Sequence, residues 1–221
     1  ALNYLQRLFF AEIFVVLDIV QRQARGWENR NKLLLPTPTW LTIPVASSSR
    51  SLIMESKVDG QVWIEEHKNK IVQNYKTAPH FSESLLNSAL ILHERSNSYS
   101  DILVELLRNA CRILSFEPKI ALASDVLDPF EVVGVDVLIS LCERIGADCY
   151  VSGPNGRNYG VIEKFSGTKI DVLFHDFSHP IYRQGKNIKF EPYMGYLDAL
   201  FYCGVDWLSE LVRLPPFTKK M

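Results

Sequence analysis

The sequence predicts an α/β fold, a mixed or mostly parallel sheet flanked by helices, and three observations carry that expectation. Short apolar runs rich in β-branched residues recur along the chain. Stretches with an apolar residue every three or four positions separate them. No linker rich in Pro, Gly or Ser divides the 221 residues, so residues 1–221 are expected to form one domain, with 214–221 as a tail.

Ile13-Phe-Val-Val-Leu17 reads as a strand buried on both faces that delivers Asp18 and Gln21 at its carboxyl end. Trp40-Leu-Thr-Ile-Pro-Val45 reads as a second strand, which Pro44 restricts to an edge or a strand end. The segment between them reads as a polar connection. From Gln61 to Tyr75, Trp63, His67, Ile71 and Tyr75 recur every four residues and define the packed face of a helix. Further helices are expected at 82–93 and at 101–114, the latter started by Ser98 with Asp101.

Residues 119–124 read as a strand, and Val137, Leu138, Leu141, Cys142 and Ile145 mark a helix that Gly146 closes. Strands follow at 149–152 and 169–174. The Gly153-Pro-Asn-Gly156 turn between them is expected to use positive φ at its glycines. Two short helices, 194–202 and 205–212, are separated by Gly204, and Pro215-Pro216 blocks continuation.

Composition narrows the function. Hydrophobic residues at 47% and charged residues at 22% are ordinary for a folded domain. Lys and Arg number 24 against 25 Asp and Glu, which leaves no basic field to draw nucleic acid or anionic lipid. The longest apolar run spans about five residues where roughly 20 are needed to cross a bilayer, so no membrane span is expected. The opening residues lack a secretory pattern, and Cys111, Cys142, Cys149 and Cys203 form no Cys-x-x-Cys, so reduced thiols in the cytoplasm are expected.

The densest polar constellation is Arg25-Gly-Trp27-Glu-Asn29-Arg30-Asn31, close behind Asp18 and Gln21. Arg holds phosphate or carboxylate through paired donors, Asn reads hydroxyls or amides, and an indole stacks on a sugar or base ring. The set suits a nucleotide-sugar. The plainer alternative is that Trp27 anchors the loop in the core while Arg25 and Arg30 pair with acids. The Gly153 to Tyr159 turn either offers backbone N–H groups to an anion or is an ordinary β-turn. His175 and His179 have a chelating spacing but follow a strand and precede Pro180, so a loop without a metal is expected. No cofactor motif is evident.

Asp18-x-x-Gln21, Arg25-Gly-Trp-x-Asn-Arg-Asn31 and Leu41-Thr-Ile-Pro44 together resemble the WbqC-like family of bacterial surface-polysaccharide gene clusters. The similarity continues through Tyr75-Lys-Thr-Ala-Pro79, Gly153-Pro-Asn-Gly156-x-x-Tyr159, Tyr182-x-Gln184, Phe190-x-Pro192, Asp198 and Gly204. It implies a role in O-antigen or related glycan assembly, with transfer of glycine or another acyl group to a nucleotide-activated amino sugar from an unspecified donor. On that reading Asp18 is the first candidate base and Asp198 the second. Arg25 and Arg30 hold phosphate or oxyanion, and Asn29 and Asn31 orient the sugar. Gln21, Trp27, Gly153, Gly156, Tyr159, Tyr182 and Gln184 complete the candidate binding set.

The chain departs from the family pattern at three places. Ala1-Leu-Asn3-Tyr4-Leu-Gln6 stands where the family has Gln-Pro-x-Tyr-x-Pro, Ile19 replaces a second Asp, and Gly195 stands where a Ser follows Pro192. A nucleotide-sugar-binding accessory protein without catalysis is therefore the rival reading. A glycosyltransferase ranks lower, since the Asp-x-Asp metal motif is missing.

Overall fold

The computed structural model describes the chain apart from residues 24–25, 35–36, 47, 49, 93–95, 187–188, 215–216 and 219–221, and gives backbone alone at 217–218. It is α/β, as expected, but its strands fall into three short sheets rather than one. The strands run to only two to five residues each, at or below the usual length.

The chain opens with α1 (Leu2–Phe10), which puts Leu2, Leu5 and Leu8 into the core at helical spacing. β1 (Phe14–Val16) follows and is half-buried rather than buried on both faces. The segment expected as a polar connection supplies a strand, β2 (Arg30–Leu33), which pairs antiparallel with β3 (Thr39–Thr42). Its sequence, Arg-Asn-Lys-Leu, has one apolar residue and none that is β-branched, so period-2 alternation carries no visible signal. Pro44 lies just beyond β3, at a strand end as expected.

α2 (Val62–Tyr75) buries the four residues named from periodicity, Trp63, His67, Ile71 and Tyr75. α3 (Glu83–Leu90) begins at Ser82, whose hydroxyl accepts the Leu85 N–H at 3.1 Å. It stops before the expected end, because Ile91 turns extended. α4 (Tyr99–Ile113) begins at Ser98, which accepts the Asp101 N–H at 3.3 Å. β4 (Ile120–Leu122) pairs parallel with β1.

α5 (Asp136–Ile145) ends at Gly146 with φ 71°, the left-handed cap that the sequence indicates. β5 (Cys149–Ser152) leads through a 3₁₀ turn, Pro154–Tyr159, and α6 (Val161–Phe165) to β6 (Asp171–His175), its parallel partner. Residues expected as a tail carry β7 (Phe217–Thr218), antiparallel to β6. Among the described residues no helix is long and apolar enough to cross a membrane.

α7 (Tyr196–Arg213) is two helices joined at Gly204, where φ 89° and ψ 170° interrupt the helical torsions. Its first half buries Ala199, Leu200 and Phe201, and its second Leu208 and Val212, against α1, α2 and the inner side of the β2–β3 hairpin. The His80 N–H donates to the Phe201 carbonyl at 3.0 Å, filling the broken ladder. A Cβ on Gly204 would stand 2.9 Å from His80 Nδ1, on a backbone that L-residues rarely adopt. Gly204→Ala is expected to cost about 1–3 kcal/mol, read as a lower urea midpoint with an unchanged slope.

Candidate functional site

The β2–β3 hairpin sorts its side chains by strand alternation. Leu33 and Leu41 face the core, while Arg30, Lys32 and Trp40 share the outer face. There the Arg30 guanidinium carbon lies 4.2 Å from the Trp40 ring centroid and Lys32 Nζ lies 5.3 Å from it. Trp27 stands edge-on to Trp40 at 5.0 Å and is 65% exposed. The indole therefore does not anchor its loop in the core. Two indoles flanked by two cations form one open face.

Its supports come from the same loop. Arg30 Nε donates to the Gly26 carbonyl at 3.0 Å, which curls the loop so that Trp27 meets Trp40. Asn29 is buried and donates Nδ2–H to the Ile43 carbonyl at 3.0 Å, tying the loop to the far end of β3. Asn31 Oδ1 accepts the Lys32 N–H at 2.9 Å, and the Asn31 side chain lies against Gly195. A Cβ there would stand 3.1 Å from Asn31 Cγ, so a side chain at 195 would require Asn31 to shift. Gln21 bridges Leu52 and is exposed on that side. Arg25 lies outside the described residues.

Asp18 sits where the sequence put it, at the carboxyl end of β1. It is buried, and both oxygens are engaged: Oδ1 accepts the Ser124 N–H at 3.0 Å and Oδ2 the Ser124 hydroxyl at 2.7 Å. That pair closes the turn after β4. Ile19 instead points into a small core with Ala123, Leu127, Val137 and Leu141, so a second Asp there would be a buried charge.

Asp198 occupies the first turn of α7 and has no exposed surface. Its Oδ1 accepts the Tyr75 hydroxyl at 2.9 Å, and its Oδ2 accepts the Tyr182 hydroxyl at 2.7 Å and Gln184 Nε2–H at 2.8 Å. Burial pushes its pKa up, and the three donors pull it back. Burial raises both phenols well above their ordinary range, so they stay protonated donors. Gln184 also grips the Glu191 backbone at both ends, donating to its carbonyl at 2.9 Å and accepting its N–H at 2.7 Å. Tyr182, Gln184 and Asp198, site candidates from the family resemblance, thus form one network with Tyr75, which lies both in a resemblance segment and on the packed face of α2.

Gly153 and Gly156 are marked by close approaches rather than by torsion. Gly153 has φ −69°, and positive φ falls instead on Gly160, at 67°. A Cβ on Gly156 would lie 2.0 Å from Ser152 Oγ, and one on Gly153 would lie 3.2 Å from Arg7 Nη1. Tyr159 is 70% exposed at the end of the turn. β1 and β5 belong to different sheets, so the described strands form no common switch point joining Tyr159 to the polar loop.

The two histidines face different partners. His175 is fully buried, with Nε2 2.9 Å from Gln6 Oε1. His179 Nδ1 donates to the Pro180 carbonyl at 2.8 Å, and Nε2 accepts the Tyr193 N–H at 3.2 Å. Tyr193, at φ 63°, is one of two non-glycine residues in the left-handed region among those described. Burial lifts the Cys111 and Cys142 thiols to about 12 and about 11, which disfavours the nucleophilic thiolate.

A model described as the WbqC-like protein family matches residues 1–210. The chain is 31% identical over 212 residues to the uncharacterized protein Rv1507c of Mycobacterium tuberculosis, covering 92% of this chain and 89% of that protein. No solved structure matches.

Two outcomes follow from this geometry. Asp198→Asn leaves one acceptor oxygen for three donors and is expected to cost about 1–3 kcal/mol in chemical unfolding. Burial, then the Arg7 charge, pushes His175 down to about 4. Against an unfolded value of about 6.5, its contribution is complete above pH 6.5 and fades as pH falls toward 4. His175→Gln is expected to flatten that part of the stability profile relative to wild type; parallel profiles would refute the assignment.

Proposed function

Because the chain belongs to the WbqC-like protein family, we propose that it binds a nucleotide-activated amino sugar and acts in the assembly of a bacterial surface glycan. The observation that carries this reading is the open face of Trp27 and Trp40 flanked by Arg30 and Lys32. An exposed indole offers a surface for a base or sugar ring, and a guanidinium beside it offers donors to a diphosphate. The unpaired cysteines suit a cytoplasmic setting.

The reaction proposed is N-acylation of the sugar, with glycine as the acyl group that family resemblance implies. The amine nitrogen attacks an activated carbonyl carbon, the new C–N bond forms, and the bond to the donor's leaving group breaks with its electron pair. The amine proton passes to a base. Asp18 is the candidate for that role; the Ser124 hydroxyl at 2.7 Å would have to turn away for Oδ2 to take the proton. A second reading, binding without catalysis, is favoured by the engagement of every oxygen of Asp18 and Asp198.

Mass spectrometry separates the two. Purified protein incubated with a nucleotide-linked 4-amino sugar, glycine and ATP, with and without a glycyl-carrier source, is expected to yield a glycyl adduct. Binding that persists with no adduct from any donor selects the second reading. Trp27→Ala is expected to weaken sugar-nucleotide binding about tenfold in calorimetric titration, with unfolding unchanged. Unaltered affinity would remove the indole face from the site.

A further inference from the structure

Arg7 projects from α1 toward the end of β5 and, among the described residues, has no carboxylate partner. Its Nε is sealed from solvent and finds no hydrogen-bond acceptor among the described residues. The guanidinium carbon lies 5.3 Å from the Tyr4 ring centroid, and Nη1 lies 3.2 Å from the position a Gly153 Cβ would take. The Tyr150 phenol and the His175 ring are within electrostatic reach. None of these is a carboxylate.

Asp176, the carboxylate that follows β6, lies 3.4 Å from Arg157 Nη2. His175 is neutral near pH 7, being held down to about 4, so it adds no charge to the group. Partly burying a guanidinium without an anion is costly, and among the described groups only the Tyr4 ring and the Tyr150 phenol offset it. Its position supplies a reason. Carboxyl ends of parallel strands are where ligands of α/β proteins lie, and β5 and β6 run parallel up to Ser152 and Phe174.

We propose that the carboxyl end of the β5–β6 pair, centred on Arg7 and the Gly153 turn, is a binding site for a phosphoryl group. Arg7 supplies paired donors for two phosphoryl oxygens. The Tyr4 and Tyr150 hydroxyls are the further polar groups of the cluster. Glycine at 153 leaves the guanidinium the space in which it lies. The phosphoryl group comes either from a small free phosphate or from the diphosphate of a nucleotide, and the site rests on Arg7 rather than on the Trp27–Trp40 face.

Calorimetric titration of the full chain with inorganic phosphate, pyrophosphate and UDP, against chloride at matched ionic strength, tests this. Phosphate is expected to bind, and Arg7→Gln to weaken it by about tenfold or more. Gly153→Ala, which crowds Nη1 on an unstrained backbone, is expected to weaken it several-fold while unfolding stays cooperative, so the test survives if Arg7→Gln fails to fold. Trp27→Ala is expected to leave phosphate affinity unchanged. An Arg7-dependent gain for UDP over phosphate identifies a nucleotide as the source, and equal affinities identify a small phosphate. The proposal is overturned if neither phosphate nor pyrophosphate binds, or if Arg7→Gln and Gly153→Ala bind as wild type does. UDP binding that depends on Trp27 alone would also overturn it, while leaving the sugar-nucleotide reading intact.

Discussion

The arrangement of this protein depends on one buried carboxylate. Asp198 accepts from Tyr75 of α2 and from Tyr182 and Gln184 of the long loop before α7. Two of these donors reach further. The Tyr75 hydroxyl accepts the Leu34 N–H at 3.3 Å at the end of β2, and Gln184 closes the loop onto Glu191. Gly195, three residues before the carboxylate, donates its N–H to the Lys32 carbonyl at 3.2 Å. α2, α7, the loop and the inner side of the hairpin are thereby referred to one point. A satisfied buried network of this kind rigidifies its surroundings, and a broken one costs the desolvation of each orphaned group.

The hairpin then has two sides with different duties. Its inner side, Leu33 and Leu41, belongs to the same core as Tyr75, Leu200 and Phe201. Its outer side carries Arg30, Lys32 and Trp40, and Trp27 stands edge-on to Trp40. Arg30 serves both sides of that loop, closing it through Gly26 and covering Trp40. Asp18 and Asp198, the carboxylates that family resemblance puts forward as bases, are instead deep in the packing, each with its oxygens occupied. The candidate ligand contacts are at the surface, and the polar network lies behind them.

How much of this was legible in the sequence depends on the kind of signal. Helix α2 was legible because four large residues recur at one helical spacing, and Gly146 and Gly204 because each punctuates an otherwise periodic run. β2 was not, since its alternation is spread over Arg, Asn and Lys. Missing β2 hid Lys32 and Trp40, because only the cross-strand register places them on the Arg30 face. α1 was missed although Leu2, Leu5 and Leu8 carry helical spacing, and Arg7 was missed with it. Tyr75 illustrates a different limit: periodicity reports that a side chain is buried but not that its hydroxyl has a partner more than 100 positions away. Gly153 and Gly156 read as torsional glycines in the sequence, whereas they lie close to Arg7 and Ser152, and only the fold brings Arg7 near.

The Asp198 network is expected to fix the hairpin that carries the indole face. Hydrogen exchange at the β2 amides in Tyr75→Phe tests it most directly, because the ring stays and only the hydroxyl between Asp198 and Leu34 is removed. Exchange about tenfold faster at Leu33 and Leu34 and at Glu191, with α4 unaffected, is expected from losing roughly 1–2 kcal/mol of local stability. Protection at β2 equal to that of wild type would show that the hairpin is held by its apolar face alone.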